Sequence, residues 1–456
     1  MGILLLSTQL YRIAPRISWK YWLALAAVVF FAILALKNMT AALTLVLLSS
    51  ATSGVVIGTG RATPLPAGLL MMVALTGIWL LKMILSERRI QIKQSPANLP
   101  LLLFLISALL SWIAGYAIWD WRIPQPDNKL LVQAGQFMLF FMSFASMYLV
   151  AHQNISQREL KLWATLVSII GLTSILAELF LGFYKGREIG ITGAMYVFPL
   201  TLIAAQALFN PQLRSWLRSL FLVILLLWLV WAFRNQGWKG GWLPTLFGLV
   251  VLLSFRSWKL FLVGSILVAV VIILIWGTLV QVFFDPEVDS TSTIRPLIWL
   301  DILRMVMPRS PLLGLGLANY MYYWHDPTFI PVSRIAAGWA TWNAWGYAIP
   351  SHNMFMDILA QTGVIGLIFF IWGLAALLVV LYRVSKRLPP GFLKAYALGV
   401  FAGFSAMLVG SFFFADWLIP FVYNITITGF RHSVYAWILV GSVLGIYYAN
   451  QGVSGK

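Results

Sequence analysis

The sequence alternates between short polar loops and apolar runs of about twenty residues, the length a helix needs to cross a ~30 Å hydrocarbon core. This alternation constrains the chain more than any other feature. The runs fall at 20–36, 39–57, 64–84, 98–119, 130–151, 160–183, 188–208, 214–233, 240–254, 258–283, 356–382, 395–414 and 432–449. None alternates with the period of a strand, so each is expected to be a helix. Only 10% of residues are charged and 61% are apolar, whereas a soluble domain carries about 25% charge. The expected fold class is therefore an all-α integral membrane protein, with residues 1–456 forming one polytopic membrane domain. The 22 Trp and 16 Tyr suit the aromatic belts at the two membrane interfaces.

Basic residues orient the spans. Lys82, Arg88, Arg89 and Lys93 fall in or beside one loop, and Arg158, Lys161, Arg214, Arg218, Arg256 and Lys259 in alternate later ones. Arg383, Lys386, Arg387 and Lys394 form the strongest cluster. All lie on one side, which the positive-inside rule makes cytoplasmic. Thirteen complete spans would put the basic N-terminus, with Arg12, Arg16 and Lys20, outside. The two runs within 20–57 are therefore not expected to make two full crossings. Twelve spans result, within a range of twelve to fourteen, and residues 1–19 should lie along the membrane surface. No small-residue cleavage site follows these N-terminal cations. The net charge of +18 is dispersed among loops, which favours anionic lipid over nucleic acid as its partner.

Cysteine is absent, which removes disulfides, thiolate catalysis and Cys-based metal sites. The four histidines show no HxxxH or HExxH spacing. No metal and no cofactor is expected.

One stretch departs from the alternation. Residues 284–352 read as a long extracytoplasmic loop containing short helices. It holds His325, His352, Arg295, Arg304, Arg309 and Arg334, and five of the chain's thirteen acids. Charge and irregular backbone are costly near a bilayer, so their concentration marks this loop as functional. Two shorter outward loops carry close cation pairs, Lys185 with Arg187 and Arg234 with Lys239. Headgroup snorkelling explains such pairs, and so does a convergent site for an anion. Glu178, inside an apolar span, is unusual and is assigned no role.

The outer face offers many cations and few acids beyond Glu188, Asp301 and Asp326. That balance suits a leaving group whose growing negative charge must be neutralised, such as a lipid-linked diphosphate. Arginine meets phosphate oxygens with a planar fork and stays charged. A histidine can then take the proton from an attacking hydroxyl. His352 is the preferred candidate, at the mouth of a helix whose N-cap is Ser351 or Asn353. A satisfied interfacial histidine is the competing reading. His325 and His432 are weaker candidates, and His152 falls on the opposite side. The segment TIRPLIWLDILRMVMPRSP reads as a helix lying on the membrane, with Arg295, Trp299, Ile302 and Val306 on one face. Pro311, Gly314 and Gly316 end it, and the glycines permit a tight return.

The stretch from His352-Asn353 through Gly363 to Gly366 resembles the signature of the O-antigen ligase and polymerase superfamily. There a His-Asn or His-Ser pair opens a helix and a Gly-x-x-Gly follows. Arg295, Trp299, Pro311, Gly314 and Gly316 resemble its arginine, tryptophan and Pro-Leu-Leu-Gly-x-Gly pattern. GWKGGWLPTLFGL is similar to its Ser-Arg-Gly-Ala-Trp-Leu stretch, with Lys239 in place of arginine, Trp238 in place of serine and Arg234 nearby as compensation. GREIGITG makes Arg187 the match to a further family arginine. The resemblance covers about residues 185–380. It implies a twelve-helix fold related to the C-type membrane glycosyltransferases, in a bacterial cytoplasmic membrane. It further implies metal-independent, inverting transfer of a glycan from polyprenyl diphosphate on the outward face. His352 would activate the acceptor hydroxyl, and Arg295, Arg187, Lys239 and Arg234 would hold the diphosphate. Asn353, Trp299, Gly314, Gly316, Gly363 and Gly366 would support them. The acceptor, a glycan, a lipid core or a protein, stays open, and the aromatic segment Tyr320–Tyr347 is the expected surface for it. The alternative from another class is a multi-span transporter of an anionic solute. It would need broken helices and midplane charges, which the spans do not announce.

Overall fold

The computed structural model describes residues 19–51, 56–57, 65–86, 88–125, 127–181, 194–234, 239–274, 295–326, 328–333, 351–413, 417–423 and 426–454, with some side chains inside these helices left undescribed. Residues 1–18 of the N-terminal surface segment, Lys185, Arg187, Arg334, residues 284–294 of the long loop and the aromatic segment beyond Ser333 lie outside them. The side chains of Glu178, Arg234 and Lys239 do too.

The apolar runs fold as helices: α1 (Trp19–Lys37), α2 (Met39–Ser50), α3 (Ala67–Leu85), α4 (Asn98–Ala117), α5 (Lys129–Ala151), α6 (Gln157–Leu181), α7 (Ala194–Phe209), α8 (Ser215–Arg234), α9 (Lys239–Arg256) and α10 (Trp258–Leu274), then α13 (Met354–Arg387), α14 (Phe392–Phe413) and α15 (Phe430–Ser454). Two short elements precede α13, namely α11 (Arg295–Arg309) and α12 (Tyr320–Tyr323). Among the described residues, seven helices are long and apolar enough to cross a membrane: α3, α4, α5, α8, α13, α14 and α15. The chain is an integral membrane protein.

Among the described residues, a short strand pairing departs from the expectation of helices throughout. Val56–Ile57 pairs with Leu65–Pro66 in a two-residue antiparallel ladder, at the end of one apolar run and the start of the next. The helix in the first of these runs, α2, stops at Ser50 after 12 residues. At 1.5 Å per residue it covers about 18 Å, short of a full crossing.

The core follows from which faces are apolar and aromatic. α7 lies against α14, α5 against α15, and α4 against α13. Phe104, Phe140, Phe144 and Trp437 interlock edge to face, with ring centroids 5.2 Å apart for Phe104–Phe140 and 5.3 Å for Phe144–Trp437. By contrast α8 exposes Leu222, Val223, Leu226, Leu227 and Val230 along its length. A continuous apolar strip of this kind is stable when lipid covers it.

A second, smaller core sits over one end of the bundle. Ile298, Ile302, Met305 and Val306 of α11 pack there with Leu315, Tyr320, Tyr323, Trp324, Ile123 and Ala360. The expected apolar face of the TIRPLIWLDILR segment is thus buried under α12 and against α13.

Candidate functional site

The site is built on a break in α13. This helix runs 34 residues, but Gly363 interrupts it with φ 66° and ψ −169°. As a sequence, the run 356–382 reads as an ordinary span and does not announce the break. A broken helix in a membrane must regain its backbone hydrogen bonds from protein, and the turn after α11 supplies them. Leu315 N donates to Ala360 O at 2.8 Å and Gly316 N to Gln361 O at 3.2 Å. On the far side of the break, Val364 N donates to Pro311 O at 2.9 Å and Ile365 N to Leu312 O at 3.3 Å. The two glycine motifs are therefore halves of one interlock.

The glycines are required sterically. Gly314 has φ 72°, and a Cβ there would stand 2.6 Å from Gln361 C and Gly363 N. At Gly316 (φ 93°) a Cβ would meet Asn319 Nδ2 at 2.6 Å and Gly115 Cα at 2.7 Å. Gly366 is different. It is helical, and a Cβ would crowd the Thr362 side chain and come within 3.1 Å of Ser107 Oγ on α4.

The polar side chains around the break satisfy one another. Ser111 Oγ donates to Gln361 O. Ala318 N donates to Gln361 Oε1 at 2.9 Å, and Gln361 Nε2 to Tyr423 Oη at 3.0 Å. Gln133 Nε2 donates to Asn319 Oδ1 at 2.8 Å, and Asn319 Nδ2 to Leu315 O at 2.8 Å. Satisfied buried hydrogen bonds of this kind fix one geometry.

His352 lies two residues before α13, half-buried, in left-handed backbone with φ 52°. That conformation costs an L-residue with a Cβ about 1–2 kcal/mol, and neighbouring bonds hold it. Asn353 is the N-cap of α13, its Oδ1 accepting from Phe355 N at 2.9 Å and Met356 N at 3.2 Å. Ser351, the other candidate cap, has a different task. Its hydroxyl accepts from Asn353 N at 2.9 Å and donates to Asp357 Oδ2 at 2.7 Å. Asp357 is fully buried, and its Oδ1 accepts from Tyr423 Oη at 3.1 Å. Finally Trp299 Nε1 donates to Ser351 O at 2.9 Å. Carbonyl, hydroxyl and cap are all engaged, so His352 sits on a clamped turn.

Arg295 is brought to the same neighbourhood. Its Nη1 donates to Phe413 O at 3.1 Å, at the end of α14. Phe412, next in chain, packs against both Trp299 (5.9 Å) and Phe355 (5.8 Å). Arg295 and the His352 turn thus share one support. Lys239 opens α9 and Arg234 closes α8. Arg187 lies outside the described residues, so the expected gathering of all four cations is a proposal.

Two other loop arginines, Arg304 and Arg309, have carboxylate partners. Arg304 Nη1 donates to Asp301 Oδ1 at 3.2 Å, and the same buried carboxylate accepts from Val332 N, Ser333 N and Ser333 Oγ at 2.9, 2.9 and 2.7 Å. Arg309 is paired with Asp326. Burial pushes the Asp326 carboxyl up, and Thr328 with Arg309 more than offsets it, leaving it below the usual range. These two arginines fold the loop, each held by a buried carboxylate.

Of the other histidines, His152 accepts from Lys93 N at 2.9 Å at the far end of α5, and burial lowers the His325 imidazole. His432 is buried at the start of α15, its Nε2 accepting from Arg431 Nε at 3.2 Å. Among the described residues no group of three or more His, Cys, Asp or Glu could hold a metal. Asp357, Gln361 and Tyr423 escaped the sequence reading. An aspartate in the first turn of an apolar helix was the available signal for the first of them.

Residues 220–371 match the model of the O-antigen ligase family. The match spans Arg234, Lys239, Arg295, Trp299, both glycine motifs and His352, and supports the superfamily resemblance carried by those motifs. No curated protein matches the chain.

Proposed function

We propose, with the O-antigen ligase match over residues 220–371 as premise, that the chain transfers an oligo- or polysaccharide from a polyprenyl-diphosphate donor to an acceptor hydroxyl. The observation that carries this reading is the clamped, left-handed turn at His352, held by Trp299 of α11, the helix that Arg295 opens. The imidazole of His352 takes the proton of the acceptor hydroxyl as its oxygen attacks the anomeric carbon. The bond from that carbon to the diphosphate breaks, and configuration inverts in the single displacement. The departing polyprenyl diphosphate gathers negative charge, which Arg295 meets with its planar fork. Arg234, Lys239 and Arg187 complete the cradle. No metal takes part.

The same reading carries twelve spans, with residues 284–352 on the extracytoplasmic face of a bacterial cytoplasmic membrane. The donor would be a glycan on undecaprenyl diphosphate, and the product a lipopolysaccharide or a related cell-envelope polysaccharide. The break in α13 is a feature that an anion transporter would use. Here the 311–316 turn fills it with backbone hydrogen bonds, which argues for a rigid support rather than a permeation path.

A reconstituted assay with a polyprenyl-diphosphate glycan and candidate acceptors tests the proposal. Single transfer to a lipid core indicates a ligase, and chain elongation a polymerase. Uptake of a solute without transfer contradicts both.

A further inference from the structure

An open depression lined by charged side chains lies at the same end of the bundle as His352. α4 and α13 run antiparallel, with Leu101 by Gly373, Ser107 by Gly366 and Gly115 by Gly316. The end of α4 and the loop that follows it therefore rise to the level of the His352 turn. That loop, with Arg309 at the end of α11, lines a cavity of about 470 Å³ formed by Ile118, Asp120, Trp121, Arg122 and Arg309. Along α11 it stands ten residues from Trp299, which touches Ser351. At 1.5 Å per residue that is about 15 Å.

The loop is held firmly. Trp119 Nε1 donates to Ile123 O at 3.0 Å. The Lys129 ammonium lies 3.5 Å from its ring centroid, and Tyr323 packs on it at 5.7 Å. Trp121, two residues on, is 88% exposed. So one indole anchors the loop and the other is presented at the cavity.

The charges in the cleft are neutralised in pairs. Arg122 grips Asp120 with Nε to Oδ1 at 2.9 Å and Nη2 to Oδ2 at 2.5 Å. Arg309 is held by Asp326. A site for phosphate would leave its guanidiniums without carboxylates. Here each has one, and the groups retain spare capacity, since guanidinium has five donors and carboxylate about four acceptor sites. Fixed donors and acceptors beside an exposed aromatic face match a neutral polyhydroxylated ring. Its hydroxyls bond the ion pair and its C–H face covers the indole.

We propose that the Asp120–Trp121–Arg122 loop and Arg309 form a glycan subsite, distinct from the diphosphate cradle, that holds a sugar ring remote from the transferred bond. This rests on the glycosyltransferase reading for its substrate class, and it supplements the expected surface at Tyr320–Tyr347. Part of that segment, Tyr323, builds the wall behind the loop through Tyr323 Oη to Ile118 O at 3.4 Å.

The test uses the full-length protein in detergent, with the producing cell's own glycan released from its polyprenyl carrier by mild acid. That probe has no diphosphate. Binding is followed by saturation-transfer NMR. The wild type should bind, Trp121→Ala at least about tenfold more weakly and Asp120→Asn also more weakly, while Trp121→Phe keeps most of the affinity. Trp121→Leu separates this role from interfacial anchoring: an anchor tolerates leucine, and the glycan subsite does not. In transfer assays Trp121→Ala should raise KM for the donor or the acceptor, whichever glycan occupies the subsite, with kcat unchanged. No binding to the wild type, or equal binding by all variants, overturns the proposal. A protein that binds the glycan but transfers none contradicts the transferase reading and leaves the subsite standing.

Discussion

Gly314 and Gly363 face each other backbone to backbone, both at positive φ, and neither has room for a Cβ: one on Gly314 would lie 2.6 Å from Gly363 N, and one on Gly363 2.5 Å from Gly314 N. Either alanine variant incurs the left-handed penalty of about 1–2 kcal/mol and overpacking of about 1–3 kcal/mol. Gly314→Ala and Gly363→Ala should therefore each lower the melting temperature of the detergent-solubilised protein markedly. Gly77→Ala is the control. Gly77 lies in α3 with nothing within 4 Å of an added Cβ, and alanine favours helix there by up to about 1 kcal/mol. Equal melting of all three variants would contradict the interlock.

The clamp under His352 can be loosened in steps. Tyr423→Phe removes one hydrogen bond to Asp357 and one from Gln361. Ser351→Ala leaves buried Asp357 Oδ2 without its hydroxyl donor, at a cost of about 1–3 kcal/mol. Both should lower kcat more than they raise KM, because the turn is misplaced while the substrate contacts remain. A change confined to KM would mean that the clamp does not position His352.

Arg295 has a fork to offer the donor and a bond to the end of α14. Arg295→Ala and Arg295→Lys should both lose transfer, since a point charge does not replace bidentate contact. Comparing their melting curves with the wild type separates the two roles. Full activity in the lysine variant would reduce Arg295 to an electrostatic anchor.

The Asp120 carboxyl is held down to about 2, first by the Arg122 side chain and then by the Arg122 amide. The ordinary unfolded value is about 3.9. A depressed carboxyl contributes fully above the unfolded value and loses its contribution as pH falls towards the folded one. Glycan binding at this cleft should thus be flat from about pH 8 down to about 4 and weaken only as the pH approaches the folded value of about 2. A binding curve that titrates between pH 5 and 8 in the wild type and is flat in Asp120→Asn would contradict this.

The helices were legible because their cause is local: twenty apolar residues leave the backbone no other solution in lipid. The face of α11 was legible for the same reason, from the three- to four-residue spacing of Trp299, Ile302 and Val306. Both glycine motifs stood out as well. That Pro311–Gly316 repairs a break at Gly363 did not, because the hydrogen bonds joining them cross some fifty residues of chain. The same holds for Asp357, whose partners Ser351 and Tyr423 are six and 66 residues away. The pairs of Arg304 with Asp301 and of Arg309 with Asp326 were not legible either, because they close only once the loop has folded.

The most direct test of the central claim is transfer by His352→Ala, in proteoliposomes supplied with a polyprenyl-diphosphate glycan and an acceptor. The variant should insert normally, melt within a few degrees of the wild type and form no product. Near-normal product from a correctly folded His352→Ala protein would contradict the account.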